Sequence, residues 1–84
     1  MCRNITTLRG LEPPATDEEI EAAARQFVRK ISGITRPSTA VEPRFEAAVA
    51  EIAAISRGLL GELPPRKVPP KTVPPLRRPG ITRP

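Results

Sequence analysis

The basic residues near the C-terminus are the largest group of side chains in this sequence that could do chemistry. Residues 64–84 contain no acidic residue but six basic ones, namely Arg66, Lys67, Lys71, Arg77, Arg78 and Arg83. Residues 1–63 carry 8 basic and 9 acidic side chains, so the formal net charge of +5 is located in the tail. A basic tail on a nearly neutral body is typical of proteins that bind a polyanion such as nucleic acid.

Prolines determine how the tail would present these charges. They recur every five residues from Pro64 to Pro84, which excludes a helix or a central strand and predicts polyproline II. Charges along a stiff chain can contact RNA phosphates and release counterions. The tail has no aromatic residue on which bases could stack, so we expect backbone contacts without sequence readout.

Two other interpretations of the tail stay open. It can be a disordered, solubilising segment, or a ligand of SH3 or WW domains, although no two of its prolines stand three residues apart. The RNA hypothesis also requires the tail to be free of the body. Pairing of its guanidinium groups with the chain's own carboxylates would remove the support for it.

A second basic group lies in the first half of the chain. Arg25 and Arg29 are four residues apart on one predicted helix face, near Lys30 and Arg36, and could grip phosphates. The alternative is a solvated face with pairs such as Glu21 to Arg25. A helix-turn-helix would need a third helix and a base-reading face, which the sequence does not offer.

Cys2 is a possible reactive thiol. Removal of Met1 would leave a free amine and a thiol on one residue, beside the positive charge of Arg3. The alternative is an inert cysteine. The chain has no histidine to act as a base or to complete a zinc site, and no phosphate-binding glycine loop. We therefore predict no enzyme, no cofactor, no metal and no small-molecule substrate.

The first predicted element is an amphipathic helix from Thr16 to Gly33. Thr16 and Glu19 have the spacing of a capping box, and Gly33 can end the helix in the left-handed conformation. A second helix is predicted to start with Glu42 near the cap and Pro43 in the first turn. Its apolar stripe runs through Phe45, Val49, Ile52, Ser56, Leu59 and Leu63.

The shared spacing of four and three residues predicts that the two helices pack as an antiparallel hairpin. In this prediction Ile20, Ala24, Phe27 and Ile31 face Leu59, Ile55, Ile52 and Val49, with Phe27 near the middle of the seam. Before the first helix, Ile5, Leu8 and Leu11 form either one helical turn or an extended strip. The fold class is all-α: a helical hairpin domain at 1–63 with an extended N-terminal segment, and a basic proline-rich tail at 64–84.

Several segments of the sequence resemble a family of small bacterial proteins of unknown function that begin Met-Cys-Arg-Asn-Ile. The resemblance rests on five segments and covers roughly residues 1–63. The segments are Met1 to Ile5, Thr7 to Arg9, Glu12 to Thr16, Phe27 to Gly33 and Pro37-Ser38. It implies a bacterial, cytoplasmic origin and carries no activity or site residue. Pro43 and the basic tail depart from the pattern of that family.

These observations predict a small non-enzymatic protein that binds RNA or a ribonucleoprotein, such as the ribosome, through its basic tail. A two-helix core is marginal at this size, so the alternative is an interaction module that dimerises into a helical bundle. A thiol-dependent protein that uses Cys2 is a weaker alternative. No apolar run is long enough for a membrane span and residues 1–15 lack a signal-peptide core, so we expect no membrane partner.

Overall fold

Two packed helices make up most of the structure, a computed structural model that describes residues 5–64 and 73–77. The helices are α1 (Asp17–Ser32) and α2 (Glu42–Glu62), and a short 3-10 helix follows at Pro75–Arg77. Helices α1 and α2 pack against each other as an antiparallel hairpin, and the described residues contain no strand. The predicted all-α hairpin is therefore confirmed.

Both ends of α1 are where the sequence predicts them. The Thr16 hydroxyl accepts a hydrogen bond from the Glu19 N–H at 3.1 Å, and the Glu19 carboxylate accepts one from the Thr16 N–H at 2.9 Å. Gly33 adopts φ 71°, the left-handed conformation, and its N–H donates to the Arg29 carbonyl. The capping box and the glycine terminator are confirmed.

Helix α2 starts at Glu42, with Pro43 in its first turn, as predicted. Proline is tolerated there because the first N–H groups of a helix have no intrahelical partner. Ser56 interrupts the apolar stripe without leaving an unpaired polar group, since its hydroxyl donates to the Ile52 carbonyl at 2.7 Å.

The core is formed by rows of residues four apart on each helix. Ile20, Ala24 and Val28 of α1 pack with Phe45, Val49 and Ala53 of α2, and Val49 is only 1% exposed. Rows of i, i+4 residues on both helices are typical of the commonest class of helix packing, which has a crossing angle of about −50°. Ala24 and Ala53 place the two smallest side chains of this core on opposite helices.

The predicted seam is wrong at four positions. Phe27 is 45% exposed, Ile31 69%, Ile55 75% and Leu59 57%, and Phe27 is therefore not at the middle of the core. The prediction assumed alternating steps of three and four, as in a coiled coil, whereas the helices pack through steps of four. Val28 and Ala53, which were not in the predicted seam, are buried instead, and Phe45 of the predicted stripe is buried as expected.

The segment before α1 is an extended strip and not a helical turn. Leu11 is buried and Leu8 packs against the helix core, with a turn at Arg9 and Gly10 between them. The Arg9 guanidinium donates two hydrogen bonds to the carbonyl of Pro64, at 3.0 and 2.8 Å. This contact ties the end of α2 to the N-terminal segment.

The described part of the tail lies against the body. Pro74 is buried, and Pro75–Arg77 is a turn of 3-10 helix, so the polyproline II prediction is wrong for these three residues. The remainder of the predicted polyproline segment lies outside the described residues, apart from Pro64, Val73 and Pro74.

Candidate nucleic-acid interface

Three of the predicted phosphate-binding residues fall within the described structure: Arg25, Arg29 and Arg77. The other predicted site residues lie outside it, namely Cys2, Arg66, Lys67, Lys71, Arg78 and Arg83. Of the predicted tail cations, Arg77 is the one that the structure describes.

Arg77 is bound by the first turn of α1. Its Nε donates to Glu19 Oε2 at 2.5 Å and its Nη2 to Glu19 Oε1 at 2.9 Å, which makes a bidentate ion pair. The same Nη2 lies 2.8 Å from the Pro13 carbonyl and 3.2 Å from the Pro14 carbonyl. The Arg77 side chain is 20% exposed and the Glu19 side chain 4% exposed. Arg77 thus joins the tail to the start of α1 and is not free to bind phosphate. The requirement that the tail be free of the body therefore fails at the one tail arginine that the structure describes.

The electrostatics of Glu19 follow from these contacts. The hydrogen bond from Arg77 lowers the pKa of the Glu19 carboxyl below its ordinary value, burial opposes this effect, and the Thr16 backbone N–H adds to it. Glu19 is thus held ionised although it is buried. It is the one buried charged residue in the described part of the chain.

Arg25 is bound in the same way, across the hairpin. Its Nη1 donates to Glu46 Oε2 at 2.6 Å and its Nη2 to Glu46 Oε1 at 2.9 Å, so that α1 and α2 are joined by a second bidentate pair. The hydrogen bond to Glu46 raises the pKa of Arg25, and the same bond lowers the pKa of Glu46. The alternative interpretation of Arg25 named Glu21, which lies at 3.8 Å, but the closer partner comes from α2.

Arg29 and its neighbours differ from Arg25 and Arg77. Arg29 and Lys30 are exposed in the last turn of α1, and Arg36 is exposed in the loop that follows. None of the three lies within ion-pair distance of a described carboxylate, although the positive charge of Arg29 contributes to the lowered pKa of Glu46. This group, which we call the loop-end basic group, lies at the end of the hairpin opposite the Arg77 contact.

A half-open groove of about 380 Å³ runs along α1 where the N-terminal segment and the tail flank it. Leu8, Pro74 and Leu76 contribute apolar surface. The polar part of the lining contains both signs of charge, from Arg25, Arg29, Glu18, Glu19 and Glu21, together with Gln26. The Thr6 hydroxyl, also in the lining, is buried and has no hydrogen-bond partner. The groove joins the tail to the loop-end basic group along one helix.

Sequence reasoning missed the role of Glu19 as the partner of Arg77. Glu19 was identified only as part of the capping box, and the two residues are 58 positions apart, so no local pattern joins them. One signal was available in the sequence. The tail contains no acidic residue, so a tail arginine that forms an ion pair must pair with a carboxylate of the body.

Within 5–64 and 73–77, no group of three His, Cys, Asp or Glu side chains is placed to hold a metal ion. Neither of the helices in these ranges has the length and apolar character needed to cross a bilayer.

A protein-family model described as "Uncharacterized conserved protein (DUF2277)" matches residues 1–83 of the chain. The match extends beyond the roughly 63 residues covered by the sequence resemblance and includes nearly all of the tail. No curated protein and no solved structure matches the chain.

Proposed function

The chain belongs to the DUF2277 family, and we propose that it is a small non-enzymatic protein of the bacterial cytoplasm that binds RNA within a ribonucleoprotein such as the ribosome. The contact surface comprises the loop-end basic group and the tail residues Arg66, Lys67, Lys71, Arg78 and Arg83. Arg25 and Arg77 are omitted, because Glu46 and Glu19 already neutralise them.

The observation that carries this proposal is the uneven pairing of charges in the described structure. The ion pairs there join Arg25, Arg57 and Arg77 to carboxylates, whereas the three members of the loop-end basic group remain exposed and unpaired. Unpaired cations at one end of a small protein attract a polyanion through counterion release. The five remaining tail cations add to this charge, since residues 64–84 carry no acid of their own.

The Arg77 contact changes the role of the tail in this proposal. A tail free along its whole length would bind as a flexible arm, but Arg77 fixes one point of it to the first turn of α1. A fixed attachment reduces the conformational entropy that binding would cost.

The test is the salt dependence of RNA binding by the full chain, measured by fluorescence anisotropy with a short single-stranded RNA. One variant replaces Arg66, Lys67, Lys71, Arg78 and Arg83 with Gln, a second replaces Arg29, Lys30 and Arg36 with Gln, and the control is R57Q. Between about 50 mM and about 200 mM salt, the slope of log K against log salt should be shallower by roughly 3.5 units in the first variant and by roughly 2 in the second.

R57Q removes a positive charge from the other end of the hairpin, where Arg57 pairs with Asp17, and should leave the slope unchanged. Equal slopes in wild type and both multiple variants, or no binding at the lower salt concentration, would rule out the proposal. Loss of binding in R57Q as well would point to a nonspecific effect of net charge.

A further inference from the structure

Four large apolar side chains inside α1 and α2 remain exposed: Phe27, Ile31, Ile55 and Leu59, at 45%, 69%, 75% and 57%. Single exposed apolar residues are ordinary on protein surfaces, but a contiguous patch marks an interaction site. Whether these residues form such a patch depends on the side of the hairpin on which each one lies.

Helix geometry places them on one side. A residue three positions after a core residue is rotated back by about 60° around the helix. Phe27 and Ile31 stand in this relation to Ala24 and Val28, and Ile52 stands in the same relation to Val49. Because α1 and α2 run antiparallel, equal rotations away from their contact lead to the same face of the hairpin. Ile55 and Leu59 continue this side along α2.

The exposed side of α2 has a repeat that complements itself. Ala48, Ile52, Ile55 and Leu59 are spaced four, three and four residues apart, which is the spacing of a coiled-coil seam. A two-fold axis between Ile52 and Ile55 brings Ile52 of one copy opposite Ile55 of a second copy. The same operation brings the small Ala48 opposite the large Leu59, so the side-chain volumes across the seam are complementary.

The charges at the two ends of this stripe select the orientation. Arg44 precedes Ala48 by four residues, Glu62 follows Leu59 by three, and both are exposed without an ion pair to a described residue. In an antiparallel pair of α2 helices, Arg44 of each copy lies near Glu62 of the other. A parallel pair would bring like charges together and is disfavoured.

We propose that the surface formed by Phe27, Ile31, Ile52, Ile55 and Leu59 binds a second copy of this chain, with the two α2 helices antiparallel in a four-helix bundle. The small size of the core favours this partner. Seven apolar side chains are buried in the described residues, two of them alanines, and a core of this size usually needs a further stabilising element. This inference is independent of the RNA proposal.

The first test is the mass of the full chain in solution without nucleic acid, measured by sedimentation equilibrium over a range of concentrations. We expect twice the 9.1 kDa of one chain. I55D places a charge in the seam and should give the mass of one chain with unchanged helix content by circular dichroism. A54D is the matched control, because Ala54 is the neighbouring exposed residue on the other side of α2, and it should remain dimeric.

A charge exchange tests the orientation. R44E and E62R each place like charges at both ends of the seam and should weaken the dimer by roughly tenfold, whereas the double variant should restore it. Neither single variant weakens the isolated helix, since an acid in its first turn and a base in its last turn both suit the helix dipole.

A single-chain mass for the wild type at every concentration would overturn the proposal and would indicate that another segment or another protein covers the face. An I55D variant with the mass of a dimer would also overturn it, because the copies would then associate elsewhere. No rescue in the charge-exchange double variant would rule out the antiparallel arrangement.

Discussion

At the scale of single residues, Glu19 is the point where three parts of the chain meet. Its carboxylate accepts hydrogen bonds from the Thr16 N–H and from two guanidinium nitrogens of Arg77, while its side chain is only 4% exposed. Burial of a carboxylate is costly, and this arrangement offsets the cost because both oxygens have donors. Loss of one partner should therefore leave the Glu19 carboxylate under-compensated and lower the free energy of unfolding.

R77Q tests this dependence. We expect the free energy of unfolding to fall by about 2 kcal/mol in urea denaturation, because Glu19 loses its positive partner. The loss should be smaller than for a pair locked in a core, since the tail can detach and admit water. R57Q is the matched control: its partner Asp17 is 80% exposed, so its effect should stay within about 0.5 kcal/mol.

A double-mutant cycle with E19Q separates the pair from the individual side chains. Glutamine also fits a capping box, so E19Q removes the charge and keeps the contact with Thr16. The combined variant should be more stable than the sum of the two single effects implies. Strict additivity would show that Arg77 and Glu19 do not interact in solution.

The same carboxylates predict how stability depends on pH. Bonds from Arg77 and Arg25 lower the pKa values of Glu19 and Glu46 below the ordinary 4.5. Between the native and the ordinary values the unfolded chain binds more protons, so stability rises with pH in that range and is complete above it. Urea midpoints measured from about pH 7 down to about pH 3 should fall below about pH 4.5. The fall should be smaller in E19Q, and an equal fall in E19Q would contradict the role of Glu19.

At the scale of elements, the sequence predicted the helix ends, which depend on local interactions. Thr16, Gly33 and Pro43 mark helix ends through backbone groups within a few residues, and all three predictions were confirmed. Local sequence does not determine which residues form the packing seam between the helices. Phe27 and Val28 are neighbours on α1, and which of them is buried depends on how the two helices cross, which a single amphipathic pattern does not determine.

Two glycines test the difference between a helix end and a helix interior. Gly33 has φ 71° at the end of α1, whereas Gly58 is inside α2 with open space around the position of a β-carbon. G33A should lower the free energy of unfolding by about 1 kcal/mol because alanine is strained in the left-handed conformation. G58A should raise it by about 0.5–1 kcal/mol. Urea denaturation of both variants gives the signs, and equal signs would contradict the assignment of the helix ends.

At the scale of the whole molecule, the structure joins segments that the sequence separates. The division into a body at 1–63 and a tail at 64–84 followed the change in composition, but Arg77 contacts Pro13, Pro14 and Glu19. A contact between residues so far apart has no periodicity to reveal it. The same limit applied to Arg25, whose partner Glu46 lies on the other helix.

Truncation decides whether the tail stabilises the body. A chain that ends at Pro79 keeps Pro74 and Arg77, and a chain that ends at Val73 lacks both but shares the rest. If the tail were a separate segment, the two chains would be equally stable. We expect the shorter chain to lose about 1–2 kcal/mol of unfolding free energy, because Glu19 then has no cation and the surface under Pro74 is exposed.

The E19Q substitution in both truncated chains isolates the ion pair. Part of the stability difference between the two lengths should then disappear, since the neutral side chain has no ion pair to lose. Urea denaturation at neutral pH measures all four chains, and equal midpoints for the two wild-type lengths would show that the tail is separate after all.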